Sequence, residues 1–190
     1  MIKRSIKQFI RQSESTDGVE ILEAAIVLPL VFVFLLGIVE FGRLFNIYST
    51  IQQAAQQGAI TAARPLCATC PIPTGANPFK PFPSDGVVAD KIYAVMQASN
   101  VDPSQVAINS SPATPVSCVN PPALATCDQP NNITICRQVL LNSPPVSTTQ
   151  PNQCGVLVNF QYPFKFELPF TSLNLQTVTL SVQAQSRMEN

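Results

Sequence analysis

Residues 18–39 read GVEILEAAIVLPLVFVFLLGIV: a glycine, carboxylates at Glu20 and Glu23, then an uncharged apolar run from Ala24 to Val39. At ~1.5 Å per helical residue that run covers about 24 Å of a ~30 Å hydrocarbon core. It therefore has to recruit its ends, Ile21 and Leu22 on one side and Phe41, Leu44 and Phe45 on the other. A transmembrane helix over 19–45 results, with Glu23 near one boundary and Glu40 and Arg43 near the other. Glu40 and Arg43 stand at helical i, i+3 spacing and can pair at the membrane edge. Pro29 interrupts the run, which a membrane helix tolerates with a local kink.

The flanks set an orientation. Lys3, Arg4, Lys7 and Arg11 precede the run, whereas Arg43 and Arg64 are the basic residues that first follow it. The positive-inside rule then places the amino terminus in the cytoplasm and exports what lies past residue 45. Residues 1–18 form a basic leader. Cutting after Gly18 removes four basic and two acidic residues, leaving seven basic against nine acidic. A secretory signal peptide would carry a shorter apolar region of ~7–15 residues ending at a small-residue cleavage site. Here the apolar segment continues instead into NIYSTIQQAAQQGAITAAR at 46–64, which has no proline and extends the helix. Small residues at Ala54, Ala55, Gly58, Ala59, Ala62 and Ala63 admit two readings. They let a neighbouring helix approach closely, or they favour helix and pack on the chain's own domain.

Composition excludes several function classes. Charged residues are 12% of the 190 and the formal net charge is zero, so no basic surface points to a nucleic-acid partner. Histidine is absent, which removes the commonest general base and zinc ligand. No phosphate-binding loop, nucleophile elbow or adhesion-type metal motif is present, and neither a cofactor nor enzymatic activity is expected. Asp85, Asp90 and Asp102 read as solvated or capping residues, and the sequons at Asn109 and Asn132 as loop polarity.

Pro65 ends the long helix, because the residue before a proline is pushed away from helical angles. About 125 residues follow, enough for one modest domain at 65–190. Ser84 is a candidate cap for a helix over 85–98, with Val88, Ile92, Val95 and Met96 on one face. Short strands are predicted at 105–109, 133–136, 155–162, 164–168 and 177–186. The last alternates most clearly, through Val178, Leu180, Val182 and Ala184. The expected fold class is α+β, a long amino-terminal helix continuing into a small exported domain whose antiparallel sheet packs against the helix end. Loops rich in Pro, Ser, Thr and Asn at 110–132 and 142–153 are costly to order without cross-links. Cys67, Cys70, Cys118, Cys127, Cys136 and Cys154 all fall on the exported side, an even number in an oxidising compartment. Disulfides among them are expected, with fifteen possible connectivities. Cys67 and Cys70 form a CxxC beyond a helix carboxyl end, where the dipole has the wrong sign for a redox thiolate. A structural disulfide is the better reading, and the second close cysteine pair of a zinc motif is missing.

The stretch GVEILEAAIVLPLVFVFLLGIVEFGRLF at 18–45, with AAQQGAITAAR at 54–64 and the final LSVQAQSRMEN, resembles the TadE-like family of minor pilins and pseudopilins of bacterial Flp (tight adherence) pili. Gly18 with Glu23, the VLPL around Pro29 and the string Glu40, Phe41, Gly42, Arg43 carry the likeness. Ala24 stands where Flp-type prepilins usually have an aromatic residue. The resemblance implies a single-pass inner-membrane protein with a structural role. It also implies cleavage after Gly18 by a prepilin peptidase and pairing of the freed Val19 amine with Glu23 of a neighbouring subunit. The membrane, pilin-like subunits and pilus assembly machinery are the partners so implied. The alternative is an uncleaved, signal-anchored protein whose exported domain binds an extracytoplasmic ligand.

Overall fold

Apolar continuity and the absence of breakers other than Pro29 produce one helix, α1, over Asp17–Ala63. The computed structural model describes residues 17–66, 82–109, 115–118, 125–142, 153–166 and 177–188. Within it the chain divides at Arg43 and Leu44 into two units. In the first, α1 through Arg43, Val19, Ile21, Leu22 and the apolar residues from Ile26 to Leu35 are exposed. The helix is long and apolar enough to cross a membrane.

The second unit begins at Leu44 and contains the remainder of α1, a second helix α2 over Asp85–Ala98 and four strands. The strands are β1 (Cys127–Asp128), β2 (Thr134–Leu140), β3 (Cys154–Phe164) and β4 (Val178–Arg187), arranged in that order as an antiparallel sheet. The α+β expectation holds. One core joins Ile51, Ala54, Ala55, Ala59, Ala62 and Ala63 of α1 with Val88, Ile92 and Met96 of α2 and Ile133, Ile135, Val156, Val158, Phe160 and Val182 around the sheet. The small residues of α1 thus serve their own domain. At Gly58 the approach is closest: a Cβ there would stand 2.5 Å from Cγ1 and Cδ1 of Ile92.

Helix α2 begins at Ser84 as expected, but the serine side chain makes no capping bond; its carbonyl accepts the Val88 N–H at 3.2 Å. At the other end Asn100 takes a φ of 57°, its N–H bonding to Gln97 and that of Val101 to Met96. This is a Schellman closure, with asparagine in the left-handed position and Val101 buried beside Met96.

Several strand expectations need correction. Residues 105–109 do not form a strand: Pro103–Gln105 is a 3-10 turn capped by Asp102, and only Ala107 bridges Gln161. No separate strand starts at 164, because β3 runs through Pro163 to Phe164. Gln161 exchanges both backbone bonds with Ala107, so position 163 faces the same side, past the end of β2, where a missing N–H costs no ladder bond. Of the expected 164–168, residues 167 and 168 lie outside the described residues. Strand β2 runs longer than 133–136 because a bulge separates Cys136 from Val139, with Gln138 at φ 55°. Cys136 and Val139 consequently share a small second cluster with Leu157, while Arg137 is aimed elsewhere.

Candidate functional site

Two places along α1 carry chemistry. The first is its amino-terminal part, where Gly18, Val19, Glu20 and Glu23 follow one another on the exposed helix. Helical geometry puts Glu20 and Glu23 one turn apart on the same side. Ala24 and the apolar residues beyond it are exposed around the helix, so the side chains beside Glu23 offer it no buried setting within this unit. Toward the other end of the run Arg43 Nη1 lies 3.8 Å from Glu40 Oε2, the pairing anticipated from their spacing. A paired carboxylate and guanidinium carry a lower burial cost in an apolar medium than either charge alone. Residues 1–16 of the expected leader lie outside the described residues.

The second place is beneath the carboxyl end of α1. The β2 bulge aims Arg137 at three segments at once. Its Nη1 donates to the Ala62 carbonyl at 3.1 Å, its Nη2 to the Pro83 carbonyl at 2.5 Å, and its Nε and Nη2 to Asp85 Oδ1 at 2.8 and 2.6 Å. The guanidinium therefore satisfies a terminal carbonyl of α1, where the helix dipole favours a cation, and fastens the start of α2 to β2. Burial raises the Asp85 carboxyl above its ordinary 3.8, and nearby Asp128 raises it too, against the lowering effect of Arg137. Asp102, by contrast, is lowered by the hydrogen bonds of Ser104. Neither Arg137 nor its link to Asp85 stood out from the sequence, since the partners are 52 to 75 residues apart. The surviving signal was a lone arginine inside an otherwise apolar and polar-neutral strand segment.

Two disulfides resolve part of the cysteine question. Cys118 bonds to Cys154 and Cys127 to Cys136, the second pair nested inside the first. Cys127 and Cys136 are direct partners across β1 and β2, so the bond secures a strand of only two residues. Cys67 and Cys70 lie outside the described residues. Among the described residues no group of His, Cys, Asp or Glu is arranged to hold a metal ion. Neither a curated protein nor a solved structure matches the chain. The family model described as TadE-like protein matches residues 18–59, so the likeness read from Gly18, Glu23, Pro29, Glu40 and Arg43 is shown over the apolar part of α1 and into its buried extension.

Proposed function

We propose that this chain is a TadE-like minor pilin or pseudopilin, a structural component in the assembly of an Flp-type bacterial pilus rather than an enzyme. The observation that carries this reading is the run of exposed apolar residues on α1, headed by Gly18 and Glu23, inside the segment matched by the TadE-like family. Such a surface is stable in lipid or against other apolar helices and unstable in water. In this reading residues 1–18 are a cytoplasmic leader, 19–45 span the inner membrane, 46–64 extend the helix and 65–190 form the exported domain. Cleavage after Gly18 frees the Val19 amine. A carboxylate at the centre of the bilayer costs ~2.5–3.5 kcal/mol when unpaired and less toward the edge, and the amine of a neighbouring pilin-like subunit is the cation that offsets it. Glu40 and Arg43 offset each other at the opposite edge.

Sequencing the amino terminus of the assembled protein tests the cut, and Val19 at the terminus is the expected result. Glu23→Ala is expected to abolish incorporation while leaving membrane insertion intact. Retention of Met1 in the assembled product would replace this reading with that of a signal-anchored binding domain, and normal incorporation of Glu23→Ala would remove Glu23 from the assembly contact.

A further inference from the structure

Among the described residues, strand β4 is one edge of the sheet. It pairs with β3 over ten consecutive positions, from Phe164 and Val178 to Gly155 and Arg187, without a register shift. The alternation of its backbone follows from the next pair along: the Met188 N–H donates to Cys154, which makes the even-numbered positions the ones bonded to β3. Thr179, Ser181, Gln183, Gln185 and Arg187 therefore turn their N–H and C=O groups outward, and no described residue pairs with them. Natural edges are shielded by proline, lysine, bulges, inward charges or brevity. Among the described residues this one has none of these devices, and at ~3.4 Å per residue it offers about 34 Å of template. Its one charge, Arg187, is exposed and makes no ion pair among the described residues.

We propose that the outer edge of β4 receives one extended strand from a different protein of the assembly, a partner with alternating apolar and polar residues and a carboxylate placed to meet Arg187. This rests on the proposed function. The partner's apolar side chains would continue the core face beside Leu180, Val182 and Ala184, and its polar ones would lie beside Ser181, Gln183 and Gln185. A second copy of this chain fits poorly. Antiparallel pairing of two β4 strands needs a two-fold axis normal to the sheet. Strand β4, VTLSVQAQSR, carries no carboxylate, so such a pair would leave Arg187 of both copies without a counter-charge across the seam. Parallel pairing would set Arg187 against Arg187. The opposite edge of a copy offers only the two residues of β1.

The test uses the full chain in cells that assemble the pilus, with a photo-crosslinking amino acid at Gln185. The expected product joins the chain to a different protein through an extended segment. Gln183→Pro removes an outward N–H that β3 does not use, and is expected to lower that product about tenfold, whereas Gln183→Ala leaves it unchanged. Arg187→Glu, a surface change that keeps the ladder, is expected to lower it several-fold. Protection of Cys118, Cys127, Cys136 and Cys154 from alkylation shows that each variant is folded. A product of two copies of this chain, a product indifferent to both Gln183→Pro and Arg187→Glu, or no product at all overturns the proposal. If Glu23→Ala blocks assembly while the crosslink behaves in one of those ways, the edge proposal fails and the pilin-like reading stands. If the crosslink behaves as expected while Met1 is retained in the assembled product, the reverse holds.

Discussion

At Gly58 the absence of a side chain sets the distance between α1 and α2. An added methyl would collide with Cγ1 and Cδ1 of Ile92, which is fully buried. Gly58→Ala is expected to destabilise the fold by ~1–3 kcal/mol, seen as a lower melting temperature of the detergent-solubilised chain. Combining it with Ile92→Val should recover part of the loss. Arg137 works by the opposite means, filling a space with donors. Arg137→Met keeps the length but leaves the Ala62 and Pro83 carbonyls and the Asp85 carboxylate without their donor. Because the pair is about one fifth exposed, the expected cost is ~2–3 kcal/mol, with Arg137→Lys recovering only part because lysine lacks the planar fork. The partner carboxyl also carries a pH dependence. Its folded pKa lies above 3.8, so the folded state holds the proton more tightly than the unfolded one. The stability this contributes is complete below pH 3.8 and fades as pH rises through the folded value. The stability of wild type relative to Asp85→Asn should accordingly fall as pH rises above that point, which denaturation midpoints at successive pH values would reveal. Of these residues the sequence made Gly58 visible as one of a set of small side chains, without saying which of two surfaces it served. Packing against Ile92 decides that question. Arg137 was illegible because the bulge that aims it and the carbonyls it meets belong to tertiary structure.

Elements with strong periodicity were legible to within a residue or two. Strand β4 alternates cleanly, α2 repeats its apolar positions at helical spacing, and α1 is an apolar run that no other element could house. The failures have local causes. Strand β1 is two residues long and exists through its neighbour and a disulfide, so no pattern could announce it. The false strand at 105–109 had the right apolar residues but lost them to a turn started by Asp102 and Pro103. The β2 bulge was hidden for a related reason: Gln138 has no intrinsic preference for its positive φ. An L-residue in the left-handed region is strained, and glycine is not. Gln138→Gly is thus expected to stabilise the protein by ~0.5–1 kcal/mol, measured as a higher denaturant midpoint. Loss of stability on that change would mean that the glutamine side chain contributes more than its backbone costs.

The whole molecule divides its stability between a core built by two helices and one sheet face and two covalent ties among the described residues, of which Cys127–Cys136 lies on the opposite face beside Leu157. Reading the sequence placed the cysteines together outside the membrane but left their pairing open, since connectivity depends on which strands become neighbours. Replacing Cys118 and Cys154 by serine is expected to cost ~3–4 kcal/mol, and replacing Cys127 and Cys136 ~2–3 kcal/mol, because the first pair closes the longer loop. Chemical denaturation of the two double variants checks the order.

Nesting of those two bonds has a consequence in time. In the proposed orientation the exported part emerges amino end first, so Cys118 and Cys127 reach the oxidising side while Cys136 and Cys154 are still behind them. Oxidation in order of arrival would join the wrong partners, and the native arrangement requires that such a bond be opened again by thiolate attack or be delayed until the last cysteine has crossed. Maturation in that orientation therefore calls either for a disulfide-reshuffling activity or for translocation that outpaces oxidation.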